Sequence, residues 1–307
     1  MKKRFKKKLI IFLILFAVFI YNKWYDNKYK VIDDNTESVV DVDNNGDNIQ
    51  LKIDGDLKIY YLNVGQADSI LIENNGSYML IDAGNNADGT KLVDYFKKMG
   101  IDAFDYVIAT HAHEDHIGGI DNILNNFKVK HFYMPDVVTT SKTFEDVVIA
   151  LEDNNIAFET PIVGSKFNVG ECMFEVLHVG DNDDDLNDTS IVVRGVYGNN
   201  SFIFMGDATS NVEETLLNMD IDSDVLKVGH HGSKYSTAIA FLHKVTPKYA
   251  IISVGKDNSY GHPHKVSINR FRNIGSTIYR TDVDGTIVAV SDGENIKFET
   301  IQTKLDG

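Results

Sequence analysis

The stretch YVIATHAHEDHIGG, residues 106 to 119, joins an apolar run to a dense group of metal-ligand side chains. The run YVIAT is typical of a buried strand, and the polar residues after it lie in a loop, where functional side chains often converge. His111 and His113 are two residues apart, so in an extended chain they point to one side and can share a cation. Asp115 and His116 can then turn towards a second cation.

Neutral imidazole and carboxylate groups are suitable zinc ligands, so the run predicts two zinc ions, and manganese suits the same nitrogen and oxygen ligands. Two ions about 3.5–4 Å apart can share a bridging hydroxide that attacks an ester-type centre. Gly118 and Gly119 allow a close backbone approach before the next helix. A solvated polar loop is the alternative, but HAHEDH holds three histidines and two acids in six residues, which solvation explains poorly.

The composition limits the class of protein. The chain has 307 residues and is 43% apolar, which suits a globular protein with a sizeable core. Its 45 acidic and 30 basic side chains give a net charge of −15, so the average surface repels polyanions and a nucleic-acid role needs a local source of cations. Cys172 is the single cysteine, which excludes an intramolecular disulfide and a thiolate metal cluster.

The N-terminal segment is typical of a membrane anchor. Six basic side chains between Lys2 and Lys8 precede the uncharged run Leu9 to Tyr21, and Trp24 and Tyr25 follow it. A basic flank, an apolar run and interfacial aromatics predict an uncleaved anchor at residues 1–25, with the remainder outside the cytoplasm. A cleaved signal segment is the alternative and would leave a secreted protein. The acidic stretch 26–56 is interpreted as a flexible linker, and 57–307 as one hydrolase domain.

The order of strand-like and helix-like segments in the domain indicates the α/β class. Short β-rich runs alternate with segments of helical spacing, which implies sheets with helices packed outside them. Strands are predicted near 57–63, 69–73, 77–82, 106–110, 171–177, 189–196, 201–206 and 223–228, and helices near 91–99, 117–127, 236–245 and 265–273.

HAHEDH resembles the HxHxDH signature of the metallo-β-lactamase superfamily, which implies an αββα sandwich of two mixed sheets with helices on the outside. The resemblance further implies that Asp82 supports the metal site, that His178 is the third histidine of the first metal, and that Asp207 bridges both metals. From the residues alone, Asp82 and Asp207 also suit turns after strands. His131 competes with His178, but it opens a strand and is interpreted as structural.

The pair His230–His231 in VGHHGS follows an apolar strand. Adjacent side chains leave an extended chain in opposite directions, so we expect His231 to bind the second zinc and His230 to face the substrate, although the reverse assignment is open. His262 is predicted to line the pocket, with a structural turn as the alternative. Asp115, His230 and His262 are the candidate catalytic residues.

Longer strings extend the resemblance to the extracytoplasmic hydrolase domain of ComEC-type DNA-uptake proteins. They are VGHHGSKYS, PKYAIISVG (247–255), SYGHP (259–263) and RTDVDG (280–285). Such proteins carry a polytopic channel region, whereas this chain has one hydrophobic segment, so only the hydrolase activity can be carried over. Weak candidates for substrate contact are Asn187, Ser190, Ser233 and Lys234, whereas Asp183, Asp184 and Asp185 are interpreted as solvated surface.

The predicted function is that of a zinc phosphodiesterase or nuclease acting on DNA or a similar phosphodiester. A phosphodiester gains most from two cations, because its developing charge falls on the metals. The alternatives are hydrolysis of a small ester, such as a phosphocholine ester or a lactone, and a metal-containing binding protein without catalysis. No residue points to a protein partner. A basic rim for a polyanion is predicted from Lys234, Lys248, Lys256, Lys265, Arg270 and Arg272.

Overall fold

The architecture follows from strands whose apolar side chains alternate between two faces. The computed structural model describes residues 56–181 and 185–302, all within the unit Leu51–Gly307. The predicted anchor at 1–25, nearly all of the predicted linker at 26–56, and Asp183 and Asp184 lie outside the described residues. In the part of the chain that the structure describes, no helix has the length and apolar character needed to cross a bilayer.

The first sheet has eight strands. They are β1 (Leu57–Tyr61), β2 (Ser69–Asn74), β3 (Ser77–Ala83), β4 (Ala103–Ile108), β5 (Lys128–Tyr133), β6 (Phe158–Glu159), β14 (Thr286–Ser291) and β15 (Ile296–Ile301). Their order is β15-β14-β1-β2-β3-β4-β5-β6. The four strands from β3 to β6 run parallel, so their carboxyl ends lie at one edge of the sheet.

The second sheet has seven strands. They are β7 (Lys166–Val169), β8 (Cys172–His178), β9 (Val192–Tyr197), β10 (Asn200–Phe204), β11 (Val225–Lys227), β12 (Tyr249–Ile252) and β13 (Thr277–Arg280). Their order is β13-β12-β11-β10-β9-β8-β7. The strands from β10 to β13 run parallel, which again places their carboxyl ends at one edge.

The helices cover the outer faces of both sheets. They are α1 (Gly89–Lys98), α2 (Glu114–Ile117), α3 (Ile120–Asn126), α4 (Lys142–Asp153), α5 (Ser210–Leu216), α6 (Ile239–Val245), α7 (Lys265–Asn273) and α8 (Thr281–Asp284). Buried side chains of α1, α3 and α4 pack on the first sheet. Those of α5, α6 and α7 pack on the second.

Three apolar layers result from the alternation of side chains along each strand. In β2, Ile70 and Ile72 face the other sheet whereas Leu71 faces the helices. In β10, Phe202 faces the other sheet and Ile203 faces the helices. Strands covered on both faces must be apolar at nearly every position, as these are. The predicted α/β sandwich of two mixed sheets with outer helices is therefore confirmed.

One predicted helix is interrupted. The helical spacing over 117–127 belongs to two short helices, because α2 ends at Ile117 and α3 begins at Ile120. Gly118 and Gly119 between them lie against the β3–α1 segment: a methyl group on Gly118 would lie 2.2 Å from the backbone carbon of Asn85, and one on Gly119 would lie 2.5 Å from the Ala83 oxygen. The predicted close approach of the backbone at these two glycines is confirmed.

We expect the substitution Gly118→Ala to lower the free energy of unfolding by about 3 kcal/mol, because backbone must move to accept the methyl group. The control is Gly164→Ala, where the added methyl meets no atom within 4 Å and only the left-handed backbone costs about 1 kcal/mol. Urea denaturation of both variants measures the difference. Equal losses in the two variants would contradict the crowding at Gly118.

Candidate metal centre

The polar loops converge at one edge of the sandwich, where the parallel strands of both sheets end. Asp82 lies near the end of β3, and HAHEDH follows β4. Asp207 follows β10, and the His230–His231 pair follows β11. Residues far apart in the sequence therefore meet, because the carboxyl ends of parallel strands share an edge.

Four of the predicted ligands form one tight group. The ligand atoms of Asp115, His116, Asp207 and His231 all lie within 4.8 Å of one another. The Asp207 carboxylate faces both rings: its Oδ1 is 3.3 Å from His116 Nε2, and its Oδ2 is 3.6 Å from His231 Nε2. Asp115 Oδ2 lies 3.3 Å from the same His231 nitrogen. The arrangement offers imidazole nitrogen and carboxylate oxygen to a common point.

His111 and His113 adjoin this group. His111 Nε2 lies 2.9 Å from His113 Nδ1, a hydrogen-bond distance, so the two ring nitrogens stand side by side. The centres of the His111 and His116 rings are 4.2 Å apart. Burial lowers the pKa of His111 well below its usual value, which favours the neutral imidazole that binds metals.

The donor atoms of this centre fit a metal ion. His116 Nε2, His231 Nε2 and Asp207 Oδ1 are buried and make no hydrogen bond within the described chain. Buried polar atoms without partners are rare and costly, and a bound cation is one way to satisfy them. Nitrogen and oxygen ligands of this kind suit divalent zinc and manganese. Since HAHEDH supplies further nitrogens beside the group, the site suits two such ions.

Asp82 orients His116. Its Oδ2 accepts hydrogen bonds from His116 Nδ1 at 2.7 Å and from the Thr110 hydroxyl at 2.7 Å, and its Oδ1 accepts from the Thr110 backbone N–H at 2.8 Å. With Nδ1 donating, the other ring nitrogen of His116 is free to bind a cation, which is the usual role of a carboxylate behind a metal-ligand histidine. Burial alone would lower the pKa of His116, but nearby carboxylates, Asp207 foremost, hold it well above its usual value, so a cation bound at Nε2 would displace a proton.

A buried ion pair lies behind His231 and was not predicted. Asp68 Oδ2 is 2.5 Å from Lys227 Nζ, and both side chains are at most 1% exposed. Lys227 also donates to the Val228 carbonyl at 3.0 Å, and Asp68 Oδ1 lies 3.6 Å from His231 Nδ1. The available signal was a lysine inside the apolar strand DVLKV, since a lysine is almost never fully buried unless it is paired.

The backbone at His230 and His231 corrects the predicted extended chain. Both residues are left-handed, with φ of 49° and 51°, a conformation that costs non-glycine residues roughly 1–3 kcal/mol each. The turn is held by hydrogen bonds, including one from the Ser233 N–H to the His230 carbonyl at 2.8 Å. His231 Nδ1 donates to the Ser253 carbonyl at 2.9 Å, which leaves Nε2 directed at the carboxylates. The turn, and not strand alternation, separates the two rings.

A cavity of about 430 Å³ opens over this group. The predicted residues that line it are His113, Asp115, Asn187, Asp207, His230, His231 and His262. Gln66, Asn85, Glu114 and Tyr260 also line it, although none was predicted to do so. Glu114 and Tyr260 stand inside the strings HAHEDH and SYGHP, whereas Gln66 and Asn85 belong to no motif. Burial, followed by the charges of neighbouring histidines, lowers the pKa of His262 to about 4, so this ring is neutral at pH 7.

His178, which the resemblance implies as the third histidine of the first metal, uses one ring nitrogen for a hydrogen bond in this structure. Its Nε2 lies 2.9 Å from the Asp188 carbonyl oxygen. A carbonyl can only accept, so this nitrogen carries the proton and cannot bind a metal at the same time. His131, interpreted as structural, lies on β5 with its Nδ1 3.1 Å from Glu159 Oε1.

Three of the four weak candidates for substrate contact do not line the cavity. Ser190 is fully buried, and its hydroxyl accepts from the Asp207 N–H at 3.1 Å, so it fixes the backbone at Asp207. Ser233 is 1% exposed and its hydroxyl accepts from the Tyr235 N–H at 3.3 Å. Neither residue lines the cavity. Lys234 is exposed outside the cavity lining.

Three of the six residues predicted to form a basic rim have other partners or lie at the opposite edge. Lys248 pairs with Asp224 at 2.7 Å, ahead of β11 and β12 and hence at the opposite edge. Arg270 donates to the carbonyls of Ser236 and Thr237 at 3.0 and 3.1 Å, which is a structural role. Arg272 lies in the last turn of α7, before β13 begins at the opposite edge. Exposed cations remain at Lys234, Lys256 and Lys265.

Glu213 braces the loop that follows the left-handed turn. This carboxylate is 1% exposed and accepts from the N–H groups of Thr237 and Ala238 at 2.5 and 2.7 Å. Burial raises its pKa from 4.5 to about 7, although the two N–H donors oppose that shift. A raised pKa in the folded state makes ionisation of Glu213 unfavourable to folding.

We expect the stability contributed by Glu213 to be complete below about pH 4.5 and to be lost as pH rises through about 7. The free energy of unfolding of the wild type, minus that of Glu213→Gln, should therefore fall by on the order of 3 kcal/mol between pH 4.5 and 8. Chemical denaturation of both proteins across this range measures the difference, and other titrating groups cancel. A difference independent of pH would contradict the raised pKa.

Comparison with known proteins agrees with this geometry. ComE operon protein 3 of Bacillus subtilis (strain 168) is 33% identical over 247 residues, which are 74% of this chain and 32% of that protein. Competence protein ComA of Neisseria gonorrhoeae is 28% identical over 229 residues, 73% of this chain and 30% of that protein. The chain thus spans about a third of the length of these curated relatives, and the predicted resemblance to competence proteins is confirmed.

A solved structure and a family profile agree on the fold. The metallo-beta-lactamase fold protein YhfI from Bacillus subtilis superposes with a TM-score of 0.55 at 12% identity, over 78% of this chain and 100% of that one. At this identity the likeness concerns the fold alone. The profile of the metallo-beta-lactamase superfamily matches residues 62–256, more than half of the chain. The protein therefore belongs to the metallo-β-lactamase superfamily.

Proposed function

We propose that the protein is a metal-dependent phosphodiester hydrolase that acts on nucleic acid outside the cytoplasm. The observation that carries the proposal is the group of Asp115, His116, Asp207 and His231, whose ligand atoms lie within 4.8 Å of one another beneath an open cavity. A phosphodiester is the ester whose reaction places most negative charge beside such cations. The names of the competence relatives support the choice of nucleic acid.

The chain's own residues prepare the site for this reaction. Asp115, His116, Asp207 and His231, with His111 and His113, would hold two divalent cations, which when bound supply Lewis-acid activation of water and of the phosphate. Asp82, through its bond to His116, and the Ser253 carbonyl, through its bond to His231, fix the ring orientations. The predicted catalytic role of Asp115 is then to present a carboxylate at the cavity floor.

His230 and His262 face the cavity beside the metal ligands. Their ring centres are 5.5 Å apart, and the Nδ1 atom of each is buried without a hydrogen-bond partner in the described chain. Burial lowers the pKa of both rings, so each is neutral at pH 7. A neutral imidazole can donate one hydrogen bond to a phosphate oxygen and so orient the departing group.

The test is an assay of the full-length chain, purified in detergent and loaded with zinc or manganese. We expect hydrolysis of bis-p-nitrophenyl phosphate and of DNA, with two metals bound for each chain and loss of both activities in chelator. The comparison substrates are a lactone and p-nitrophenyl phosphorylcholine. Turnover of either small ester without cleavage of nucleic acid would contradict the proposal, and metal binding without any turnover would indicate a binding protein.

The extracytoplasmic location is part of the proposal and is supported by the basic flank and apolar run at residues 2–21. A protease added to cells whose wall has been opened should then degrade the domain while the membrane is still intact. Protection of the domain until the membrane is lysed would contradict this location.

A further inference from the structure

A row of rings leads away from the cavity and contains none of the proposed metal ligands. Tyr260 lines the cavity and its ring lies 5.6 Å from that of His262, at 24° to it. The next ring, that of His264, is 4.9 Å from His262, and His264 Nδ1 accepts from the Lys234 N–H at 3.2 Å. Tyr235 follows Lys234 in the sequence. We define the four rings of Tyr260, His262, His264 and Tyr235, together with Lys234, as the aromatic strip.

The two tyrosines at the ends of the strip present their rings to solvent. Tyr260 is 66% exposed and Tyr235 is 62% exposed. Both backbones are anchored, because the Tyr260 N–H donates to Asn258 Oδ1 at 3.2 Å and the Tyr235 carbonyl accepts from the Ser210 N–H at 2.8 Å. Large exposed aromatic rings on a fixed backbone lose little entropy when a planar ligand stacks on them.

Cations accompany the rings. Lys234 Nζ lies 5.0 Å from the centre of the Tyr235 ring, and Lys265 is adjacent in sequence to His264. Lys234, Lys256 and Lys265 are exposed, and no carboxylate of the described residues is within ion-pair distance of them. Phosphates of a bound strand would therefore meet cations that are not already neutralised.

We infer that the aromatic strip binds unpaired bases of a single-stranded nucleic acid and guides its backbone into the cavity. The choice of nucleic acid rests on the proposed function. Bases in a duplex stack on one another, so only unpaired bases can offer their faces to Tyr235 and Tyr260. The strip begins at the cavity wall, so a strand stacked on Tyr260 has a phosphodiester beside the metal ligands.

Duplex binding is disfavoured by charge. A protein that binds a duplex through its backbone typically contacts about 6–10 phosphates with cations. Here the net charge is −15, and of the six residues predicted to form a basic rim, Lys248, Arg270 and Arg272 lie elsewhere or bind carbonyls. Stacking on rings with three nearby lysines suits a single strand better than a duplex.

The test measures binding separately from catalysis. A fluorescein-labelled oligothymidylate with phosphorothioate linkages, which resist hydrolysis, is titrated with the metal-loaded full-length chain, and anisotropy gives the Kd. We expect the single strand to bind at least about 10-fold more tightly than a hairpin duplex of equal length, and Tyr235→Ala or Tyr260→Ala to weaken binding by about 5- to 150-fold. The logarithm of affinity should fall with the logarithm of salt concentration with a slope no steeper than about −2.

Two controls separate ring stacking from general effects. Tyr235→Phe keeps the ring and should retain the wild-type Kd within about 2-fold. Ile162→Ala removes a side chain of similar exposure, 77%, beside β7 at the opposite end of the second sheet. This variant should retain the wild-type Kd. The ratio of the Kd of Tyr235→Ala to that of the wild type should also become smaller as the oligonucleotide is shortened to a dinucleotide.

The outcomes distinguish this inference from the proposed function. If the wild type cleaves DNA but neither alanine variant binds the oligonucleotide more weakly, the inference about the aromatic strip is overturned and the proposed hydrolase activity stands. The same holds if the wild type binds duplex as tightly as single strand. Oligonucleotide binding that depends on the tyrosine rings, without any hydrolysis, supports the aromatic strip and contradicts the proposed hydrolase activity. Loss of binding to anionic lipid vesicles in Tyr235→Ala, without loss of oligonucleotide binding, overturns the inference in favour of a membrane surface.

Discussion

The substitution Asp207→Asn is expected to lower kcat for bis-p-nitrophenyl phosphate by about 10³-fold and to reduce the number of bound metals below two. Asp207 directs one oxygen at His116, at 3.3 Å, and the other at His231, at 3.6 Å. Asparagine keeps the shape but replaces one oxygen by an N–H₂ donor and removes the negative charge. One side of the centre then presents a donor where a cation must bind.

Elemental analysis of the purified variant gives the metal content, and steady-state kinetics gives kcat. The control is Asp292→Asn. Asp292 lies in the turn between β14 and β15, where its carboxylate accepts from the N–H groups of Glu294 and Asn295. This turn follows the end of β14 that pairs with Leu57, at the edge opposite to the metal centre. Full activity with two metals in Asp207→Asn would rule out the bridging role.

The substitution Lys227→Met is expected to lower the free energy of unfolding by about 3–5 kcal/mol, the usual cost of removing one partner from a buried ion pair. Lys227 is fully buried, and its loss leaves the Asp68 carboxylate without its cation. Methionine fills similar volume, so the effect is one of charge and not of a cavity.

Urea denaturation measures the loss, and a double-mutant cycle with Asp68→Asn separates the pair from its surroundings. The double variant should lose clearly less than the two single variants together, since neither charge is then stranded. Lys248→Met is the matched control, because Lys248 pairs with Asp224 at 2.7 Å but is 72% exposed. An exposed pair of this kind contributes about 1 kcal/mol or less. Equal losses at Lys227 and Lys248 would show that the buried pair adds nothing to stability.

Local patterns were enough to predict the α/β class and the donors within HAHEDH, whereas the αββα sandwich and the role of Asp207 were implied by the family resemblance. The alternation in β2 and β10 assigns Ile70 and Phe202 to one face and Leu71 and Ile203 to the other, and such a period of two can be read within a few residues. HAHEDH holds its ligands within one loop, and Asp207 and His231 each follow an apolar strand. The structure brings Asp115, His116, Asp207 and His231 together as these patterns indicate.

Other features depended on which strands become neighbours. Lys227 meets Asp68 only because loops from both sheets share one edge, and His178 Nε2 meets the Asp188 carbonyl, ten residues further along the chain. Lys248 and Arg270 stand in the same third of the sequence as the cavity residues, yet the structure gives them other partners. Proximity in sequence did not predict proximity in space for these side chains.

For this protein the sequence by itself determined the α/β class and the donors within HAHEDH, because strand alternation and ligand spacing are properties of a few consecutive residues. The tertiary structure alone decided the buried Asp68–Lys227 pair and the left-handed turn at His230 and His231. An ion pair between distant residues depends on the order of the strands. A strained turn persists only where surrounding hydrogen bonds compensate its cost. Both causes lie outside any local pattern of residues.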